Sequence, residues 1–397
     1  MKKIWLAAII FTFLAVLLGV LWVFLRNDRS EDELPSPAVE AGRQLSNNKC
    51  SGEGPGTLTN LPMGFKDFAI IIPYGLMVGD HVTPVDHQYY SPTVFNSPRD
   101  KYPVYAMADS RLVEVQPRDT ERGREYRMVF SVTCTFLYYY DLVTSLSPEI
   151  QSAYENRVSV GLDLEVKAGQ LIGRIGGQTL DFAVWDTQTS LTGFINPDGY
   201  QRAEGWKIYT ADPLNYVTQE IKDKMLSKYI RVVEPRSGKI DYDVDGRLIG
   251  TWFLEGTGGY GGPSGTDSNY WKGHLSIVPE HIDPSAFIFS VGDYRGFPQQ
   301  FSLPRSAKNP VEVSVASGLV KYALIGWQYL EGNTGRYWDR MSFPSAFPLT
   351  LVNSGFPTQG CVLVQLVEDR RLKMEAFPNK VCSAAPAFTS AAKFYER

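Results

Sequence analysis

Short β-type runs punctuated by turn residues govern what this chain can become. They read "FAIIIPYG", "YPVYAMADSRLVEVQ", "YRMVFSVTCTFLYYY", "LIGRIG" and "LDFAVWD" in the first half. "GRLIGTWFLEG", "HLSIVPEH", "AFIFSVGDY", "VEVSVASGLVKYALIGW" and "CVLVQLVEDRRLKMEAF" follow in the second. β-Branched and aromatic residues suit a pleated, half-buried surface, and 35 Gly and 25 Pro supply the turns between the runs. The expected class is mainly β: an antiparallel β domain with a capping helix, then a second antiparallel β domain, a barrel or sandwich.

At 397 residues the chain exceeds one average domain. Residues 4–25 are uncharged and nearly all apolar, long enough as a helix to span a bilayer. Lys2 and Lys3 precede this run, and no small-residue cleavage site ends it, which favours an uncleaved anchor over a signal peptide. The expected organisation is a transmembrane signal anchor at 1–26 and a flexible polar stalk at 27–59. A β domain with a C-terminal helix follows at 60–229, and a β-rich domain at 230–397. The body is then single-pass anchored on the extracytoplasmic side, with the membrane as one partner. A net charge of -4 with scattered Lys and Arg excludes a nucleic-acid binder.

Two helices stand out. Ser147 before Pro148-Glu149 predicts a short one, and Asp212-Pro213 starts a longer one through Leu214, Val217, Ile221 and Met225. Four cysteines in an exported chain permit two disulfides. Cys361 with Cys382, which bracket a hairpin, is the first choice. Cys50 with Cys134 follows by default, a buried free Cys134 being the alternative.

The chemistry-bearing residues lie in an ordered series. "GDHVTPVDHQYYSP" holds His81, Asp86 and His87. A "PVYA" strand, a "YYYDL" strand with a helix after it, the turn "VKAGQLIG" and the strand "TLDFAVW" follow. In that order, over roughly residues 65–186, the chain resembles the LytM/lysostaphin-type zinc endopeptidases, with their duplicated hybrid motif fold. These cut peptide cross-bridges in bacterial cell walls. The resemblance implies three zinc ligands, a His and an Asp from His-x-x-x-Asp and the second His of His-x-His, with two further histidines managing protons.

This sequence departs from that pattern. Thr179 stands where the first His of His-x-His belongs, Asp181 where the ligand His belongs, and Asp141 where an assisting His belongs. Neither His81 nor His87 begins a His-x-x-x-Asp. Strand alternation puts Leu180, Phe182 and Val184 on one face, and Thr179, Asp181, Ala183 and Trp185 on the other. By the same alternation Asp141 shares a face with Thr133, Thr135 and Tyr139, opposite Cys134 and Phe136, and Asp86, Asp141 and Thr179 are groove candidates.

His81, His87 and Asp181 form a candidate metal set, and zinc is the cofactor such a set would take. The plainer reading is a His–carboxylate pair organising the loop. Loss of His at 141 and 179 tilts the balance against catalysis. The favoured function is non-catalytic binding of a cell-envelope glycan, peptide or protein partner. The alternatives are a metal-dependent, peptidoglycan endopeptidase-like hydrolase with rearranged ligands, and a purely structural surface protein. "DYDVDG" opens like a calcium loop, but Trp252 at its twelfth position excludes an EF-hand and leaves an acidic turn. His274 and His281 read as structural or surface residues.

Overall fold

The computed structural model describes residues 35–157, 161–201, 203–263 and 269–397. The apolar run at 4–25 and its expected anchoring role lie outside the described residues. Among the described residues no helix is long and apolar enough to cross a membrane.

The first body contains β1 (Phe68–Ile72), β2 (Gln88–Pro92), β3 (Tyr102–Tyr105), β4 (Ser110–Thr120), β5 (Gly123–Ser131) and β6 (Phe136–Val143). It continues with β7 (Ser145–Leu146), β8 (Leu164–Val166), β9 (Leu171–Ile175), β10 (Leu180–Asp186) and β11 (Thr210–Ala211). The large sheet runs β1-β2-β10-β6-β5-β4-β8, with β11 also on β10, and β3-β9-β7 form a small sheet. All pairings are antiparallel.

Every residue of β10 is buried, because both faces of the large sheet are covered. Leu180, Phe182 and Val184 enter the core beneath the small sheet, with Phe130, Tyr138, Tyr140, Val104 and Ile172. Ala183 and Trp185 enter a second cluster on the opposite face. The alternation expected from "TLDFAVW" is therefore present. Phe130 and Tyr138, partners across β5 and β6, stack with ring centroids 4.7 Å apart.

The second body is a closed antiparallel barrel, β12-β13-β14-β15-β16-β19-β20-β21. Its strands are β12 (Gly250–Leu254), β13 (His274–Pro279), β14 (Phe287–Tyr294), β15 (Phe297–Ser302), β16 (Val320–Ile325), β19 (Thr358–Glu368), β20 (Arg371–Pro378) and β21 (Lys393–Glu396). β12 bonds to both β13 and β21, which leaves the ring no open edge. Trp252, Phe289, Phe301, Tyr322 and Val364 fill its interior. A hairpin of β17 (Gln328–Glu331) and β18 (Leu349–Val352) is inserted between β16 and β19.

The two bodies share apolar clusters. Tyr139 and Trp185 pack with Phe253 and Tyr260. Ile70, Met77 and Ile230 pack with Val278, Ile282 and Tyr329.

Three expectations need correction. The segment expected as a flexible stalk is, from residue 35 onward, fastened to the first body. Its helix α1 (Pro37–Leu45) is capped by Ser36, whose hydroxyl accepts from the Val39 N–H at 3.3 Å. A Cβ built on Gly42 would lie 1.5 Å from the Cys134 carbonyl oxygen, so the helix approaches as only glycine allows. The Thr187 hydroxyl donates to the Ala38 carbonyl at 2.7 Å. Composition favoured a stalk, but the Cys50–Cys134 disulfide and these contacts outweigh it.

The helix expected from residue 213 is interrupted. A 3-10 turn over Pro213–Asn215 precedes the α-helix Gln219–Leu226. Between them Leu58 pairs with the backbone, its N–H donating to Tyr216 C=O and its C=O accepting from Thr218 N–H. That exchange takes groups a continuous helix would use itself. The helix Pro148–Glu155 forms as expected after Ser147.

The acidic segment "DYDVDG" is more than a surface turn, since Asp241 and Asp243 are buried. Asp241 accepts from the Gly193 N–H at 2.8 Å, and Asp243 from the Thr251 N–H at 2.8 Å. Asp243 also lies 3.8 Å from the Arg397 guanidinium, which stacks on Trp252 and donates to the carbonyls of Val244, Arg247 and Ile249.

His274 and His281 are buried structural residues: His274 Nε2 bonds the Tyr260 carbonyl, and His281 Nδ1 pairs with Glu280. Both cysteine pairs are disulfides, and no free cysteine remains.

Candidate functional site

The face of the large sheet turned toward the barrel carries a polar row. Strand register sets Asp181 beside Tyr89 on β2 and beside Asp141 on β6. The loop from β1 to β2 brings His81 and His87 over this row, their ring centroids 5.8 Å apart. His87 Nδ1 lies 3.5 Å from Asp86 Oδ1, and its Nε2 lies 3.3 Å from Asp181 Oδ2 and 3.1 Å from the Tyr89 hydroxyl. The Thr179 hydroxyl donates to Asp181 Oδ1 at 3.1 Å. The structure thus brings His81, Asp86, His87, Asp141, Thr179 and Asp181 to one place.

Sequence reasoning missed the residues that complete the network. Asp86 accepts from Lys207 Nζ at 2.9 Å and from Trp206 Nε1 at 2.8 Å. Lys207 also pairs with Glu204 at 3.0 Å and is only 4% exposed. Both donors sit on the 3-10 helix Gly205–Tyr209, which covers the sheet beside Trp185. Arg127 lies 4.3 Å above the Trp206 ring and 4.6 Å above Tyr139, a cation held between aromatic faces. Arg118 donates to Asp141 Oδ1 at 3.0 Å. The available signal was the lone lysine of "GWKIY", a cation inside an otherwise apolar stretch.

Charge states follow from these neighbours. Burial pushes Asp86 up, but Lys207 and His87 outweigh it and hold the carboxyl well below its usual value. Burial opposes the His87 imidazolium, yet Asp181 and Asp86 raise its pKa above the ordinary one. Burial, only partly offset by His87, lifts Asp181 to about 7. His87 and Asp181 together bind a proton more tightly than either does in an unfolded chain. His81 is exposed as a residue, but its ring faces His87. Burial of the ring, then the charges of His87 and Lys207, lower it to about 4.

The sign for Asp181 is set by its raised pKa. Its contribution to stability is complete below the unfolded value of 3.8 and is lost as pH rises toward 7. Asp181→Asn should therefore flatten the fall in stability over that interval, measured as urea midpoints at several pH values. An unchanged slope would refute this assignment.

The donor set does not fit zinc. A metal needs a neutral imidazole with a free nitrogen lone pair. Of the candidate set His81 keeps a neutral imidazole, but His87 has carboxylates at both nitrogens and a raised pKa, and Asp181 is engaged by His87 and the Thr179 hydroxyl. Among the described residues no group of three or more His, Cys, Asp or Glu side chains is arranged to hold a metal ion. Asp181 has the proton affinity of a general acid or base, yet it is buried and faces His87 and Thr179.

No family model and no curated protein matches this chain. Solved structures do. One form of Helicobacter pylori Csd3 is 18% identical over 33% of this chain and 31% of its own, with a TM-score of 0.22. A zinc-containing peptidase from Vibrio cholerae is 17% identical over 32% and 36%, with a TM-score of 0.23. A second form of Csd3 is 16% identical over 43% and 37%, with a TM-score of 0.25. The chain spans about a third of the length of these structures. At these scores the likeness carries no argument about function.

Proposed function

We propose that this chain is a non-catalytic, membrane-anchored extracytoplasmic protein. Its peptidase-like β body binds a cell-envelope glycan, peptide or protein partner rather than cutting it. One observation supports this above others: Asp86, His87 and Asp181 are joined in a buried network closed by Lys207 and Trp206. Groups that a hydrolase would present to substrate are spent on holding the first body's own covering segment. The two disulfides suit an oxidising compartment.

Incubating the full chain with isolated cell-wall fragments in zinc-containing buffer tests the reading. The chain should co-sediment with the fragments and release no soluble material. Release that disappears in His87→Ala would establish the hydrolase instead. Failure to co-sediment, without release, would leave the structural surface protein.

A further inference from the structure

Stretches far apart in sequence meet around a cavity of about 200 Å³. Tyr74 follows β1, Thr210 and Ala211 form β11, and Pro235 to Asp241 lead toward the barrel. Backbone contacts fix the walls. The Tyr74 N–H donates to the Ser237 carbonyl at 2.8 Å, and the Tyr74 hydroxyl to the Ala211 carbonyl at 3.1 Å. A Cβ built on Gly238 would lie 2.3 Å from the Tyr74 carbonyl oxygen, so these segments touch as only glycine allows. The cavity is therefore preformed, which lowers the cost of filling it.

Tyr74, Leu191, Pro235 and Ile240 make an apolar wall. The polar side is acidic. Asp212 lines the cavity half-buried, and its Oδ1 accepts the Leu214 N–H at 2.9 Å. Among the described residues Asp212 has no ion-pair partner, and burial raises its carboxyl above the usual value. Lys239, the cation on the wall, is already paired with Asp241. One carboxylate is thus left without a countercharge, and the cavity complements a cation. Thr210 adds an unmet group. It is 5% exposed and lines the cavity, and its hydroxyl has no hydrogen-bond partner among the described residues. Such a buried group costs free energy until something bonds it. Ser237, 1% exposed, stands beside Asp212.

We propose that this cavity binds a primary alkylammonium group, its charge on Asp212 and its stem against Tyr74, Leu191 and Ile240. Asp212, Thr210 and Ser237 offer too few oxygens for a calcium ion, which takes about six to eight. They match the three N–H donors of an ammonium. An aliphatic stem suits the apolar wall, as a lysine stem suits apolar surface elsewhere. The group can belong to a free small amine or to a lysine-type side chain. The proposal is independent of the non-catalytic reading, since none of these side chains bonds to Asp86, His87 or Asp181.

The probes are n-butylamine and N-acetyl-lysine amide, each titrated into the full chain at neutral pH and followed by ligand-observed NMR. At least one should bind with a Kd of ~0.1–10 mM, the range open to so few atoms. The tighter of the two assigns the source, a free amine or a side chain. n-Butanol, of the same length but uncharged, should bind at least tenfold more weakly. Asp212→Asn keeps the oxygen that caps Leu214 and should weaken amine binding at least tenfold, with circular dichroism unchanged. Thr210→Val should weaken it about three- to tenfold, and decides alone if Asp212→Asn alters the fold. Equal binding of butanol, or unaffected binding in either folded variant, would overturn the proposal. So would the absence of binding by both amines up to ~50 mM.

Discussion

Replacement of Lys207 by methionine is expected to lower the free energy of unfolding by about 3–5 kcal/mol, the usual cost of breaking a buried ion pair by removing one partner. Methionine preserves the length and packing of the side chain but leaves Asp86 buried without its ammonium. His87, 3.5 Å from Asp86, offsets part of the loss, so the effect should be smaller at pH values that protonate it. The double variant Asp86→Asn with Lys207→Met should recover most of the stability, because two neutral groups of similar shape carry no uncompensated charge. Urea unfolding of the three variants beside the parent chain checks both statements. A Lys207→Met chain within about 0.5 kcal/mol of the parent, the range of an ordinary surface substitution, would refute the assignment.

Removal of the Cys50–Cys134 disulfide should have an effect of the same order. The bridge closes a separation of 84 residues, and the chain-entropy model assigns such a loop about 4–5 kcal/mol. Cys361–Cys382 closes only 21 and is assigned about 3 kcal/mol. Paired alanine substitutions should therefore lower the Tm more at 50 and 134 than at 361 and 382. The first pair should also loosen α1 selectively, since Gly42 and Ala38 hold it to the Cys134 and Thr187 region. Hydrogen exchange should rise over residues 36–58 while the central strands β6 and β10 stay protected. Equal losses from the two pairs would contradict the ordering.

Sequence pattern revealed the strands better than the contacts between them. The alternation in "TLDFAVW" placed Asp181 on the correct face because a strand's period of two is a local property. The same logic put Asp141 beside it. The covering segment was not legible, because Lys207 meets Asp86 across 121 residues and no spacing rule spans that distance. Likewise a polar, Gly-rich stretch looked like a stalk until the Cys50–Cys134 bridge and Gly42 fastened it down. The interruption after Asn215 depends on Leu58, a partner far away in sequence. Tertiary partners overrode local helical periodicity there.

We propose that His87 and Asp181 serve an internal network with Asp86 rather than a metal centre. Zinc content of the full chain, purified and then equilibrated with zinc, tests it most directly. No stoichiometric zinc is expected, and no difference between the parent chain and His87→Ala. One tightly held zinc per chain, lost in His87→Ala or Asp181→Ala, would contradict it.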